Sequence, residues 1–272
     1  IQELVELEVE FLLTSDHNLK ITHPCLRPSG TARPTSAMHS HTLPQKSSLL
    51  QAGQVAGSVV DSATLALAVS PAVAALCDLV EFRADALAGQ TEAVAAAMQA
   101  CPIPALLTVR APEEGGIGQL SNEAREKIFT ALLPRAGLID IEIAHLAGFS
   151  HLVSAARARG IPVIASFHDF HGTPDRATLE ALIEKATAAG SDAVKFATTL
   201  RNSQDLATLT SLQESATQPL ATMGMGPLGR VSRLLLGSMG SVLNYGFLDR
   251  PTIAGQWPAQ RLRELITELR EG

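Results

Sequence analysis

The chain has 272 residues, 46% of them apolar and 18% charged, with a formal net charge of -6; this balance excludes a disordered or fibrous chain. A mildly acidic sequence without a Lys or Arg run offers no face for a phosphate backbone, so nucleic acid is not an expected partner. Cys25, Cys77 and Cys101 are far apart and form no Cys-x-x-Cys pair, which points to a reducing cytoplasm rather than a disulfide scaffold or zinc site.

Residues 1 to 50 stand apart. They hold four of the eight histidines, scattered Ser, Thr and Pro, and little periodicity after Leu13, and read as a poorly ordered extension preceding one domain over 51–272. Met38 lies closer to the regular region than Ile1 and is a candidate start. His39 and His41 can grip a metal, but two histidines on such a segment read first as tail. No basic patch followed by an apolar stretch marks a secretion signal. The longest apolar stretch, Ala63 to Cys77, is broken by Ser70 and Pro71 and falls short of the about 20 residues that a membrane span needs.

From Gln54 onward, β-rich runs alternate with helical patterns. The predicted strands are Gln54 to Asp61, Asp78 to Asp85, Ala105 to Arg110, Leu138 to Ala144, Pro162 to His168, Asp192 to Thr198, Leu220 to Met225 and Ser241 to Phe247. Helical spacing and strong helix formers occupy Thr91 to Ala100, Asn122 to Arg135, His151 to Arg159, Arg176 to Ala189, Ser203 to Ala216 and Pro258 to Arg270. Asp175 before one helix and Gly190 after it supply cap chemistry. Strict alternation implies a parallel sheet, and eight units imply a (β/α)8 barrel.

Side-chain parity supports closure. Val80 and Phe82 oppose Glu81, Arg83 and Asp85; Ile139, Ile141 and Ile143 oppose Asp140 and Glu142; Val194 and Phe196 oppose Ala193, Lys195 and Ala197. An open sheet under helices would bury the polar parity without relief, whereas a barrel turns it into the lumen. Buried charges there need matched signs, and Glu81, Asp85 and Glu142 are available to offset Arg83, Arg110 and Lys195.

Lys195 carries the most information, because a long hydrated cation rarely occupies an apolar strand without a use. Its amine attacks carbonyls only when uncharged, and burial beside Arg83 or Arg110 lowers its pKa from about 10.4 toward that state. The alternative is a lysine buried as the counter-ion of Glu142 or Glu81. His168 ends the preceding strand in IASFHDFH, within reach of Lys195, and a histidine can take a proton from carbon and return it to a leaving hydroxyl. In TVRAPEEGG, Arg110 can bind carboxylate or hydroxyl oxygens, and Glu114 can accept from His168 and fix its tautomer. Arg233 can supply positive charge for a substrate carboxylate. Gly224, Gly226 and Gly229 fit G-x-G-x-x-G, but in the seventh unit of a barrel rather than the first unit of an open sheet, so the dinucleotide reading is weak.

The runs DLVEFRAD, LLTVRAPEEGG, DIEIA, VIASFHDFHGTP, DAVKFATT, TMGMGPLGRVSR and the final AGQ resemble the type I 3-dehydroquinate dehydratase family from about Gln54 to the C-terminus. The resemblance implies a single-domain TIM barrel, a hydro-lyase of the shikimate route that converts 3-dehydroquinate to 3-dehydroshikimate without metal or organic cofactor. It implies that Lys195 forms an imine with the substrate ketone, that His168 moves the proton and that Glu114 orients His168. Glu81, Arg83 and Arg110 would hold the ring hydroxyls, and Arg233, Thr252 and Gln256 the carboxylate, the last two on a mobile lid. Dimers are common in the family, so a homodimer is expected. The family commonly has Trp at Phe82, Ser at Thr252 and APGQ where this chain reads IAGQ, which bears on lid closure and affinity. The rival readings are another lysine-imine barrel such as a class I aldolase, and a ligand-binding regulator that has lost turnover.

Overall fold

The computed structural model describes residues 49–253 and 255–272. Most of the expected extension, with Cys25, Met38, His39 and His41, lies outside the described residues, as does Ala254 of the IAGQ run. Eight parallel strands follow one another around the molecule: β1 (Val55–Val59), β2 (Leu79–Arg83), β3 (Ala105–Thr108), β4 (Leu138–Glu142), β5 (Val163–Asp169), β6 (Ala193–Thr199), β7 (Leu220–Met225) and β8 (Asn244–Phe247). Their order is β7-β6-β5-β4-β3-β2-β1-β8, every pair parallel. The gap between β7 and β8 is bridged by the Val242 amide donating to the Leu220 carbonyl at 3.0 Å, and the result is the nearly closed barrel that the parity of the strands implies.

The helices are α1 (Ser62–Ala68), α2 (Val73–Leu76), α3 (Thr91–Ala100), α4 (Asn122–Leu132), α5 (Ser150–Ala158), α6 (Arg176–Ala188), α7 (Ser203–Glu214), α8 (Gly229–Ser238) and α9 (Ala259–Glu271). Asp175 caps α6 by accepting from the Thr178 amide, as its position before the helix predicts. None of the described helices is long and apolar enough to cross a membrane. Helices α1 and α2 occupy the apolar stretch of the first unit, for which no element is drawn from sequence. Asp61 ends that predicted first strand early because its carboxylate accepts from the Thr64 amide and opens α1.

Several strands start later than predicted for a related reason. Asp78 and Asp192 stand just before β2 and β6 and turn their carboxylates sideways, accepting from the Val55 and Val163 amides at 2.8 and 2.9 Å. Ser241 to Leu243, expected as strand, form the approach to β8. There the Ser241 hydroxyl accepts from the Thr222 amide at 3.1 Å.

Two apolar layers follow from the two faces of the strands. Val80, Phe82, Leu107, Ile139, Ile141, Val194 and Phe196 pack outward into the main core beneath the helices. Ala56, Leu79, Leu106, Leu138, Ile164, Ala193 and Ala221 meet inside the barrel with Leu49 and Leu243, forming an apolar floor. Burying such surface is worth roughly 25 cal/mol per Å². The polar residues of the same parity sit above that floor, toward the C-terminal ends of the strands, which is where barrel sites are built.

Candidate active site

All nine residues expected at the site, Glu81, Arg83, Arg110, Glu114, His168, Lys195, Arg233, Thr252 and Gln256, line one cavity at the mouth of the lumen. They come from β2, β5, β6, α8 and the loops after β3 and β8. The register sets Lys195 beside Ser166 and His168 beside Ala197, so lysine and histidine lie on neighbouring strands, one pleat apart.

The ion pairing follows the expected set in part, with Arg83 on Asp85 and Arg110 on Glu142. The counter-ion of Lys195 is Asp140, with Nζ to Oδ2 2.7 Å, rather than Glu142 or Glu81. Asp140 also meets Arg110 at 3.0 Å and accepts from the Ser166 hydroxyl at 2.5 Å. Glu142 pairs with Arg110 at 3.1 Å, accepts from the Ala111 amide at 2.7 Å, and is reached from the far side by Arg125. Glu81 faces no cation at bonding distance among the described residues; it accepts from the Ser58 hydroxyl at 2.7 Å and the Thr108 hydroxyl at 3.0 Å. Asp85 takes a two-pronged bond from Arg83, at 2.9 and 2.8 Å, and receives the Arg110 and Ile117 amides.

Arg125 has no place in the sequence-based site because it stands on α4 and reads as a helix-surface residue. It is fully buried: its Nε donates to the Val109 carbonyl at 2.9 Å and its guanidinium lies 5.1 Å from the Phe149 ring centre. It therefore passes from the helix layer to the barrel wall and braces Glu142, which in turn holds Arg110.

These charges set the protonation of the chemical groups. Burial pushes the Lys195 amine below its ordinary value and Arg110 adds to the effect, while Asp140 opposes it. Burial also drives His168 well below the usual histidine range, helped by Arg110 and Lys195, so its ring is neutral at neutral pH. For Asp140, burial favours the acid, but Arg110 and Lys195 together outweigh it and hold the carboxyl well below the usual range.

Glu114 lies on the 3-10 turn Pro112–Glu114. Its Oε2 stands 2.9 Å from His168 Nδ1 and accepts from the His168 amide, also at 2.9 Å. A carboxylate there binds the tautomer with hydrogen on Nδ1 and leaves Nε2 as the basic nitrogen. Burial raises Glu114 to about 7, with Arg110 opposing. The turn is fixed by close backbone packing: a Cβ at Gly116 would fall 2.3 Å from the Arg110 carbonyl oxygen. Neighbouring Glu113 turns outward to His145 Nε2 at 2.9 Å.

Arg233, on α8, is 3% exposed yet meets no carboxylate among the described residues. Its Nη1 donates to the Tyr245 carbonyl at 3.0 Å, Nε has no partner among the described residues, and burial lowers it to about 10. A buried cation so placed is suited to an incoming anion. Across the mouth, Gln256 Oε1 accepts from the Thr252 amide and hydroxyl at 2.8 and 3.1 Å, which folds the loop after β8 on itself. The glycines of the G-x-G-x-x-G run serve packing: a Cβ at Gly224 would come within 2.3 Å of Leu200 Cδ1.

Asp140 and Tyr245 complete the chamber and are absent from the expected set. Asp140 has the parity of Glu142 and was readable as lumen-facing, but nothing in sequence joins it to Lys195 across the intervening strand. Tyr245, on β8, lies with its ring centre 4.2 Å from Lys195 Nζ.

A family model described as type I 3-dehydroquinase matches residues 58–272. The chain is 35% identical over 209 residues to a 3-dehydroquinate dehydratase of Klebsiella pneumoniae, covering 70% of this chain and 81% of that protein. It is 32% identical over 203 residues to the catabolic 3-dehydroquinate dehydratase of Acinetobacter baylyi, covering 70% and 75%. The crystal structure of 3-dehydroquinate dehydratase from Geobacillus kaustophilus is similar with a TM-score of 0.72 at 27% identity, over 80% of this chain and 91% of that one.

Proposed function

The chain belongs to the type I 3-dehydroquinase family, and from that premise we propose that it removes water from 3-dehydroquinate through an imine on Lys195, with His168 as the proton carrier. The observation that carries this reading is the juxtaposition of a buried lysine, lowered in pKa, with a neutral histidine whose Nδ1 is tied to Glu114.

The uncharged amine of Lys195 adds to the C3 carbonyl and loses water to give an imine, which takes a proton from solvent to become the iminium. This draws electrons from C2 and acidifies its hydrogens. His168 Nε2 takes one of them, leaving an enamine, and returns that proton to the C1 hydroxyl as its bond to carbon breaks. Hydrolysis of the conjugated iminium releases 3-dehydroshikimate and restores the amine. Asp140 and Arg110 keep the chamber's charge fixed while the lysine nitrogen gains and loses its own, a preorganised field of the kind that lowers barriers in dry sites. Arg233, with Thr252 and Gln256, receives the carboxylate; Glu81, Arg83 and Arg110 receive the ring hydroxyls.

The same proposal includes the finer expectations: action in the cytoplasm, as a homodimer, without metal or organic cofactor, from a domain over 51–272. Sedimentation reads the oligomeric state. The reaction is tested by incubating the chain with 3-dehydroquinate and following the absorbance of the conjugated enone, which neither an aldolase nor a silent binding protein would produce. Borohydride added during turnover, followed by peptide mass spectrometry, should leave a reduced adduct on Lys195; an unmodified Lys195 overturns the reading.

A further inference from the structure

Tyr245 contributes a buried phenol to the chamber that the mechanism leaves unused. The residue is 5% exposed, lines the same cavity as Lys195 and His168, and holds its ring against Lys195 Nζ. Its hydroxyl has no hydrogen-bond partner among the described residues. The nearby hydroxyls of Ser58, Thr108 and Ser166 are all engaged, on Glu81 or Asp140. Phenylalanine would keep the packing against Met223 and the ring's attraction for a cation, and would avoid burying an unpaired polar group. The hydroxyl is thus a local cost relative to phenylalanine, and a ligand oxygen that accepts from it offsets that cost. Burial raises the phenol well above its ordinary value, and the carboxylates of Glu81 and Asp140 add to this, so it enters any contact as a protonated donor.

We infer that the Tyr245 hydroxyl is a specificity-determining group that hydrogen-bonds the C4 hydroxyl of 3-dehydroquinate, an inference that rests on the dehydratase reading above. The ring meets Lys195 Nζ, the atom that bonds C3, so a hydroxyl at the ring's edge serves a neighbouring carbon. Of the two carbons flanking C3, C2 bears only the hydrogens that His168 removes, whereas C4 bears an oxygen. A ligand lacking that oxygen leaves the phenol unpaired in a dry site, and this kind of mismatch gives strong rejection.

The test compares wild type and Tyr245→Phe on 3-dehydroquinate and on its 4-deoxy analogue. On 3-dehydroquinate, kcat/KM should fall about tenfold in the variant, the size expected for one hydrogen bond. On the analogue the variant should equal or exceed wild type, and the melting temperature of the ligand-free variant should be no lower. Equal losses on both compounds, or no loss on 3-dehydroquinate, overturn the inference. A wild-type chain that neither converts nor traps 3-dehydroquinate removes the dehydratase reading and this inference with it, an outcome distinct from a failure of the Tyr245 comparison.

Discussion

Lys195 Nζ stands 2.7 Å from Asp140 Oδ2, and both side chains are sealed inside the barrel, on β6 and β4 with β5 between them. The same carboxylate meets Arg110 at 3.0 Å, so one anion is shared between two cations, of which Arg110 has a second carboxylate in Glu142. Asp140→Asn leaves Lys195 without its carboxylate and Arg110 with Glu142 alone, and removing one partner of a buried pair costs about 3 kcal/mol. Denaturant unfolding should show that loss, with the fold retained at low denaturant.

Lys195→Ala removes the nucleophile but leaves Asp140 paired with Arg110. Circular dichroism should therefore remain that of the wild type. Turnover and borohydride trapping should both disappear.

His168→Ala separates capture from elimination. The variant should still form a trappable adduct on Lys195, while enone formation slows by roughly 10²- to 10⁴-fold, the usual worth of a positioned proton carrier. Wild-type turnover in this variant would remove His168 from the mechanism.

The pH profile isolates Glu114. Its carboxyl is raised to about 7, whereas His168 is pushed well below the usual histidine range. Below pH 7 Glu114 gains a proton and stops accepting from Nδ1–H, so the productive tautomer is lost as pH falls. Wild-type kcat/KM should fall on the acid side of a limb near pH 7, and Glu114→Gln should lack that limb. A limb unchanged in the variant assigns it elsewhere.

Arg233 is buried without a carboxylate among the described residues and is lowered to about 10 by that burial. Arg233→Met should leave the free protein as stable as before or more so. It should raise KM by about tenfold or more, the worth of hydrogen bonds to a charged group. Parallel thermal melts and Michaelis curves check the opposite signs.

The strands β2, β4 and β6 were readable because each carries a period of two with a polar side, and that side has nowhere to go but the lumen. Lys195 was readable because a cation is costly on an apolar strand, and His168 because it ends the neighbouring strand; Glu114 stands in a loop that by itself reads as a solvated turn, and the family resemblance singled it out. Helices α1 and α2 were not, since the run from Ala63 to Cys77 is apolar on nearly every side and offers no contrast from which to take a period. The Asp140 to Lys195 pair depends on the stagger between strands that are not neighbours, a quantity no local pattern encodes. Arg125 was hidden for a different reason: on α4 it resembles any surface arginine, and only the packing of Phe149 and Val109 around it reveals its inward course.

Among the described residues, the apolar floor built from Leu49, Leu79, Leu106, Leu138, Ile164 and Leu243 makes the barrel a vessel with a single neck. In the proposed cycle one water leaves as the imine forms, a second leaves from C1, and one returns to free the product. All of this traffic shares its passage with the organic acid itself, beneath the loop that Gln256 gathers around Thr252. Solvent exchange and ligand exchange are therefore competing uses of one doorway.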